Sequence, residues 1–238
     1  MSYKFSEAEL ARYARHIDMD GFGLEAQRKL AEGAVLIVGA GGLGSPVALY
    51  LAAAGVGRIG IADGDVVDVS NLQRQVIHNS AGVGRPKVES ARESMVALNP
   101  GIKVETYNRY LAGEELEEVV SNYDFVVEAT DSLETKFAVD RACAAVGKAY
   151  NYGGIFRFEG HTMTVLPGSV RLTDLFPDHP GRAPKLKNAG PLGVLPGVIG
   201  PIQAAEAIKY LTGIGELLVD RLLKVDLLTM RFATIRLK

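Results

Sequence analysis

The stretch that decides the fold is Ala34-Val35-Leu36-Ile37-Val38, followed directly by Gly39-Ala40-Gly41-Gly42-Leu43-Gly44. The first five residues are apolar with no polar alternation, which is typical of a parallel strand buried on both faces. Residues 45–54 are rich in Ala and Leu and predict a helix. A glycine loop between a strand and a helix predicts a phosphate site, because backbone amides at a helix N-terminus can surround an anion. The candidate ligand positions in this loop are Gly39, Gly41, Gly42 and Gly44.

Strand and helix patterns alternate after this unit. The predicted strands are 58–63, 103–107, 124–129 and 149–152, and the predicted helices are 87–98, 114–121 and 133–146. This alternation predicts an α/β fold, Rossmann-like, with a mostly parallel central sheet and helices on both faces.

The patterns differ at the two ends of the chain. Residues 6–29 read as an N-terminal helical extension broken at Gly21 and Gly23. The later segments predict strands at 156–159 and 161–166 paired around Glu159-Gly160, a long loop at 167–191, a buried helix at 195–211 and an antiparallel pair at 222–228 and 232–237. We therefore expect one domain, 1–238, made of an N-terminal helical extension (1–30), a nucleotide-binding half (31–152) and a second half (153–238) with an antiparallel portion and a crossover loop at about 168–192.

Composition narrows the functional classes. The chain has 238 residues and a formal net charge of −2, so the charge balance gives no reason to expect nucleic-acid binding. Its one cysteine, Cys143, excludes an internal disulfide and a four-cysteine zinc site and fits a reducing compartment. The sequence has no apolar stretch of about 18 residues and no pattern of a signal peptide at its start. We expect a cytoplasmic protein with neither a nucleic-acid nor a membrane partner.

Acidic residues follow the second predicted strand. Asp63 ends that strand, where a carboxylate can accept hydrogen bonds from both ribose hydroxyls, and Asp65 is the nearby competitor for this role. These features fit an NAD-dependent oxidoreductase as well as an enzyme that uses ATP.

A polar segment with two cations favours ATP. Ser70-Asn71-Leu72-Gln73-Arg74 places an amide and a guanidinium side by side, and Lys87 opens the helix after Gly84-Arg85-Pro86. Convergence of Asn71, Arg74 and Lys87 on one pocket suits a triphosphate, since Arg gives a planar clamp and Lys a mobile charge. A dinucleotide needs less positive charge, and the sequence shows no obvious residue for hydride transfer. Ser70, Gln73 and Ser132 complete the set of candidate nucleotide ligands.

Another candidate site follows the predicted strand 124–129, at Ala129-Thr130-Asp131-Ser132. Ligands of an open parallel sheet bind at the carboxyl ends of its strands, so Asp131 is placed to hold Mg²⁺ on the phosphates. A single carboxylate suffices because Mg²⁺ keeps several waters. The alternative is that Asp131 caps the N-terminus of the helix at 133–146.

These motifs occur in this order and spacing in one family. The chain closely resembles the bacterial ThiF/MoeB/HesA adenylyltransferases, which are relatives of the ubiquitin-activating enzymes, over nearly its whole length. Further matching segments are Arg12-Tyr13-Ala14-Arg15-His16, Leu51-Ala52-Ala53-Ala54-Gly55-Val56-Gly57 and residues 197–209.

The resemblance implies a reaction and a set of partners. Such enzymes use Mg-ATP to adenylate the C-terminal Gly-Gly carboxylate of a small ubiquitin-like sulfur-carrier protein and release pyrophosphate. The second half of the chain would bind the carrier, and the enzyme would be a homodimer in which Arg15 of one subunit reaches the active site of the other. The implied roles are phosphate contact for Gly42, ribose binding for Asp63, triphosphate binding for Asn71, Arg74 and Lys87, and metal binding for Asp131, with Arg74, Lys87, Asp131 and Arg15 as the catalytic residues.

The sequence departs from the family at its cysteines. Many members carry two Cys-x-x-Cys pairs that hold zinc, but Ser169-Val170-Arg171-Leu172 stands roughly where the first pair is expected, so we predict no zinc. The loop at 172–191 also lacks the cysteine that many members use for thioester or persulfide transfer. Cys143 lies in a predicted helix and is expected to be a small buried side chain. We predict an enzyme that stops at the acyl-adenylate and passes it to a separate nucleophile or sulfur donor.

Other functions stay open at this point. The substrate could be another carboxylate such as a peptide C-terminus, the chain could be an NAD-dependent oxidoreductase, or it could be a non-catalytic scaffold. An apolar patch near Phe156 and Phe158 is expected to meet the carrier, with packing inside the domain as the alternative.

Overall fold

A computed structural model describes residues 3–177 and 190–238. The strands within these residues are β1 (Ala34–Val38), β2 (Arg58–Ala62), β3 (Lys103–Tyr107), β4 (Phe125–Glu128), β5 (Ala149–Phe156), β6 (Glu159–Val165), β7 (Arg221–Asp226) and β8 (Arg231–Arg236). The α-helices are α1 (Glu7–Ile17), α2 (Gly23–Glu32), α3 (Gly44–Ala54), α4 (Lys87–Leu98), α5 (Gly113–Ser121), α6 (Leu133–Ala145), α7 (Leu172–Leu175) and α8 (Pro196–Thr212). None of these helices is both long and apolar enough to span a bilayer.

All eight strands form one sheet in the order β3-β2-β1-β4-β5-β6-β7-β8. The strands from β3 to β5 in this order are parallel, and β6, β7 and β8 add antiparallel to that edge. This arrangement confirms the predicted fold class, including the antiparallel C-terminal portion and the N-terminal helices.

The central strand β1 shows why its sequence has no polar alternation. Val35 and Ile37 pack on one face of the sheet in a core shared with α3, α4 and α8. Leu36 and Val38 pack on the other face in a core shared with α5 and α6. Each such buried side chain contributes about 1.5–3 kcal/mol of transfer free energy. A polar residue at any of these positions would face a core.

The hairpin between β5 and β6 turns at Arg157-Phe158, so the predicted turn at Glu159-Gly160 is wrong. The predicted strand 156–159 is also wrong, because β5 continues without a break to Phe156. Gly153 lies inside β5, where the lack of a side chain permits close packing. A Cβ atom at Gly153 would lie 2.6 Å from the carboxamide of Gln203.

The region expected to be a crossover loop is only partly described. The short helix α7 lies within it, and Leu172 of this helix is buried against the core that contains α6. Residues 178–189 of the expected loop lie outside the described residues.

The helix α1 lies far from the glycine loop. Tyr13 of α1 is buried next to Gly55, which ends α3, and its hydroxyl oxygen accepts a hydrogen bond of 2.8 Å from Asn99 Nδ2 at the end of α4. The glycine loop precedes the opposite end of α3, which is 11 residues long. At 1.5 Å per residue, about 16 Å separates the two ends.

Candidate nucleotide and metal site

The glycine loop is held between β2 and β4. Gly39 has φ 105°, a conformation that favours glycine, and a Cβ atom there would lie 2.8 Å from the carbonyl oxygen of Ala129. Its N–H donates to Ala62 O at 2.8 Å. Within residues 3–177 and 190–238, the N–H groups of Gly41 and Gly42 have no protein acceptor. Two amides at the N-terminal end of α3 are therefore free to bind an anion.

The structure separates the roles of the two candidate ribose acids. The half-buried Asp63 carboxylate accepts the N–H of Ala40 at 2.8 Å and the N–H of Asp65 at 2.9 Å, and it retains lone pairs for further donors. Asp65 is instead paired with Lys87 Nζ at 2.8 Å and accepts the hydroxyl of Tyr110. These bonds, first that of Lys87 and then that of Tyr110, lower the pKa of Asp65. Asp63 is thus the better placed acid for a ribose.

The structure places Arg74 at the glycine loop and pairs Lys87 with Asp65, two residues beyond Asp63. Lys87 is the first residue of α4 and is buried. One of its three ammonium hydrogens binds Asp65, so two remain for phosphate oxygens. Arg74 donates to Ser70 O at 3.1 Å, and its Cδ lies 3.6 Å from the position that a Cβ atom of Gly42 would take.

The remaining polar residues of this segment mainly shape its backbone. The side chain of Asn71 accepts the N–H of Asp68 at 3.2 Å, and Asp68 accepts the N–H of Ser70 at 2.8 Å. The side chain of Gln73 faces the chain that leads into α8, since its Oε1 lies 2.7 Å from where a Cβ of Gly193 would be. The structure therefore brings Arg74 to the glycine loop but shows no such approach for Ser70 or Gln73.

The helix cap at α6 settles one alternative for Asp131. Ser132 is the N-cap residue, and its Oγ accepts the N–H of Thr135 at 3.2 Å, so the alternative that Asp131 caps the helix is wrong. The hydroxyl oxygen of Ser132 is therefore engaged in capping the helix. Asp131 is exposed and has no hydrogen-bond or ion-pair partner in the described part of the chain.

The donor set suits magnesium better than an all-protein metal cage. No group of three or more His, Cys, Asp or Glu side chains with metal-binding geometry occurs among the described residues. Mg²⁺ typically uses one or two carboxylates together with substrate phosphates and waters. The carboxylate of Asp131, which is unpaired among the described residues, fits this requirement together with the neighbouring glycine loop.

Two buried polar residues at the loop were not predicted. His78 contacts the Ala40 carbonyl oxygen through Nε2 at 2.9 Å and Ser90 Oγ through Nδ1 at 3.0 Å, and burial lowers its pKa. A neutral His78 can thus donate a hydrogen bond to the carbonyl oxygen of Ala40 in the loop. Gln75 is buried with Nε2 3.7 Å from the position of a Gly41 Cβ, while its Oε1 has no partner among the residues that the structure covers. The sequence offers one indication of a role for His78 and Gln75, which is that they lie close to Arg74 in the chain. Their burial cannot be predicted from the local sequence.

Comparison with known proteins decides the family. The model of the ThiF family matches residues 13–238 of the chain. This protein belongs to the ThiF family. The resemblance identified from the sequence motifs is therefore confirmed.

Relatives of this ThiF-family chain are similar over most of its length. The probable adenylyltransferase/sulfurtransferase MoeZ of Mycobacterium tuberculosis is 44% identical over 98% of this chain, and the chain spans only 61% of the length of MoeZ. The sulfur carrier protein adenylyltransferase of Thermus thermophilus is 41% identical over 96% of this chain and 88% of that protein. The crystal structure of E. coli MccB has a TM-score of 0.85 over 98% of this chain and 71% of that chain, with 20% identity, and supports the fold alone.

Four further residues named in the sequence analysis of this ThiF-family chain lie outside the glycine loop. Arg15 is exposed on α1, whose Tyr13 packs against Gly55 at the end of α3 that lies opposite the glycine loop. Phe156 and Phe158 are partly exposed, at 38% and 40%, next to each other on the β5–β6 hairpin. Cys143 is buried, and burial raises the pKa of its thiol to about 12. The cysteine is thus held as a thiol inside the core, as expected from its sequence position.

Proposed function

We propose that this protein is an ATP-dependent adenylyltransferase that activates the C-terminal carboxylate of a small ubiquitin-like sulfur-carrier protein. One observation carries the proposal: the amides of Gly41 and Gly42, which have no acceptor among the described residues, lie beside Arg74 at the carboxyl edge of the parallel sheet. The turns after β2 and β4 at the same edge carry Asp65, which pairs with Lys87, and Asp131. The names of the two relatives as adenylyltransferases favour this activity over the NAD-dependent alternative. The name of the Thermus relative supports a sulfur-carrier protein as the substrate.

The binding of ATP follows from the positions of these groups. The phosphates bind the amides of Gly41 and Gly42, where the dipole of α3 also favours negative charge. Arg74 and Lys87 bind the triphosphate, and Asp63 accepts hydrogen bonds from the ribose. Asp131 would hold Mg²⁺, which would neutralise part of the phosphate charge.

The reaction needs no base and no nucleophile from the enzyme. The carrier carboxylate is already ionised at neutral pH, and one of its oxygens attacks the α-phosphorus of ATP. A bond forms between that oxygen and the phosphorus while the bond from the α-phosphorus to the bridging oxygen breaks, so pyrophosphate leaves with the electron pair. Catalysis comes from positioning and from Arg74 and Lys87, which stabilise the charge that develops. The buried thiol of Cys143 does not enter the reaction.

The proposal also covers the binding of the carrier and the assembly of the enzyme. We assign residues 153–238 to carrier binding, with Phe156 and Phe158 in the contact surface. The carrier ends in Gly-Gly, which lets a narrow tail reach the phosphate. Arg15 reaches the site of the other subunit in a homodimer, since it lies about a helix length from its own glycine loop.

Exchange of labelled pyrophosphate into ATP tests the function. The full chain is incubated with ATP, Mg²⁺ and a panel of small ubiquitin-like proteins that end in Gly-Gly. We expect exchange that requires one of these carriers and disappears when its C-terminal carboxylate is amidated. A lack of exchange with every carrier, together with tight NADH binding and no ATP binding, would overturn the proposal.

A further inference from the structure

A buried ion pair lies directly beneath the turn that presents Asp131. Glu128 is the last residue of β4 and has no exposed surface, and Lys136 of α6 is 6% exposed at its side chain. Lys136 Nζ lies 2.6 Å from Glu128 Oε2. The charges of the two side chains therefore balance each other inside the protein.

Both members of the pair bind the backbone of Thr130. Glu128 Oε1 accepts the N–H of Thr130 at 2.8 Å and its hydroxyl at 2.6 Å. Lys136 Nζ donates to the carbonyl oxygen of Thr130 at 2.7 Å. The peptide groups on both sides of Thr130 are thus fixed, and Asp131 is the next residue along the chain.

The same ammonium group also reaches the neighbouring strand. Lys136 Nζ donates to Gly153 O in β5 at 2.6 Å, which completes its three hydrogen bonds. The turn before Asp131 is in this way tied to β4, β5 and α6 at once. These hydrogen bonds together restrict rotation of the backbone in the turn.

The energetics of buried ion pairs point away from a purely stabilising role. Removing two charges from water costs several kcal/mol per ion, and replacing a buried pair by uncharged residues of similar size is often neutral or stabilising. Groups that orient a metal ligand, in contrast, typically change metal affinity 10- to 100-fold when they are altered.

We propose that Glu128 and Lys136 are positioning residues that hold Asp131 ready to bind the magnesium ion of Mg-ATP. The inference rests on the proposed function in one respect, the assignment of Asp131 as the metal ligand. Neither side chain contacts the nucleotide. They act through the Thr130 backbone, so their removal changes the response to metal and not the binding of metal-free ATP.

The test measures the affinity of the full chain for ATP by calorimetric titration, once with Mg²⁺ and once with EDTA. The double variant Glu128→Gln/Lys136→Met removes both charges and keeps an acceptor for the N–H of Thr130. We expect the Mg²⁺-dependent gain in ATP affinity to fall about tenfold or more. Affinity in EDTA stays within about twofold, and the thermal midpoint stays close to that of the unaltered protein.

A matched control removes another ion pair made by α6. Asp140 has no exposed surface and lies 2.9 Å from Nη2 of Arg171, whose side chain is 33% exposed. The double variant Asp140→Asn/Arg171→Met should leave the Mg²⁺-dependent gain unchanged, because this pair does not bind the Asp131 turn. A fall of the same size in this control would overturn the specific role of Glu128 and Lys136.

Two further variants keep the outcome decisive. Lys136→Arg keeps the charge but not the geometry of three diverging donors, and we expect a two- to tenfold fall in the Mg²⁺-dependent gain. If Glu128→Gln/Lys136→Met does not fold, an unchanged gain in Lys136→Arg overturns the inference. If Asp131→Asn loses the Mg²⁺-dependent gain in ATP affinity but the folded double variant keeps it in full, the positioning role is refuted and the metal assignment stands. Full retention in Asp131→Asn refutes the metal assignment, and the positioning role with it.

Discussion

The ammonium of Lys87 lies 2.8 Å from the carboxylate of Asp65, although the two residues are 22 positions apart. The N–H of Lys87 also donates to Asp65 O at 3.0 Å, so backbone and side chain hold the same pair. The lysine side chain is 7% exposed, whereas that of Asp65 is 52% exposed. Asp65 thus fixes the position of a buried cation and leaves two of its donors free.

This relationship predicts a large effect for Lys87→Met. The variant loses the ammonium that binds the triphosphate, and hydrogen bonds to charged groups contribute about 1.5–3 kcal/mol. We expect ATP affinity to fall about 10- to 150-fold in a calorimetric titration. Arg85→Met is the matched control, because Arg85 is an exposed cation near Lys87 that pairs with Glu93 on the surface. An equal loss of affinity in both variants would contradict a specific role for Lys87.

The glycine loop predicts a contrast between two glycines. Gly39→Ala forces φ 105° on an alanine and places its Cβ 2.8 Å from Ala129 O, so we expect a loss of at least about 2 kcal/mol in the free energy of unfolding and impaired ATP binding. Gly197→Ala is the control, since a Cβ there meets nothing within 4 Å. It should leave the free energy of unfolding unchanged or raise it by up to about 1 kcal/mol, because alanine favours a helix more than glycine does. Chemical denaturation and ATP titration measure both effects, and normal ATP binding by Gly39→Ala would refute the described loop geometry.

Acid should destabilise the protein through His161. Burial first, then Lys136 and Lys224, lowers its pKa from the ordinary 6.5 to about 4, so the folded protein holds it neutral. The unfolded chain binds a proton below about pH 6.5 while the folded chain does not, so stability falls as the pH drops from 6.5 to 4. The shift corresponds to a loss of about 3 kcal/mol across that window.

The variant His161→Gln isolates this contribution. It keeps a polar partner for the hydroxyl of Tyr152, which lies 2.8 Å from His161 Nε2. The free energy of unfolding, measured by denaturant titration at several pH values, should fall less steeply between pH 6.5 and 4 in the variant than in the unaltered protein. Identical slopes would rule out His161 as the group that titrates.

The position of Arg15 predicts complementation between inactive variants. Arg15→Ala and Lys87→Ala each disable both sites of a homodimer that shares residues between subunits. In an equal mixture, half of the dimers are mixed and each contains one intact site, so pyrophosphate exchange should return to about a quarter of the unaltered level. Exchange that stays absent after verified subunit mixing would place Arg15 outside a shared site.

Local patterns were sufficient for the framework of this molecule. The five apolar residues of β1 and the glycines after them specify a buried parallel strand and a tight loop through neighbours in the chain. The carboxyl edge of the sheet then follows from topology, which is why Asp63 and Asp131 could be placed near the same ligand.

The supporting contacts could not be predicted, because they depend on residues distant in the chain. Tyr110 bonds Asp65 from 45 positions away, and His78 bonds the loop carbonyl of Ala40 from 38 positions away. The buried pair of Glu128 and Lys136 looks like two ordinary charges in the sequence. The hairpin turn was misplaced because Gly153 and Gly154 lie inside a strand, where a Cβ at Gly153 would meet Gln203 of α8 and a Cβ at Gly154 would meet His161 of β6.

The most direct test of the account is the intact mass of the carrier after incubation with the full chain, ATP and Mg²⁺. We expect a carrier that gains one AMP unit and gains nothing when its terminal carboxylate is amidated. Hydroxylamine should attack the carbonyl carbon of the adenylate, release AMP and leave a hydroxamate at the C-terminus of the carrier. We also expect no carrier adduct on the enzyme itself, because the thiol of Cys143 is buried. An unmodified carrier under conditions in which the enzyme binds Mg-ATP, or a covalent adduct between the carrier and the enzyme, would contradict the account.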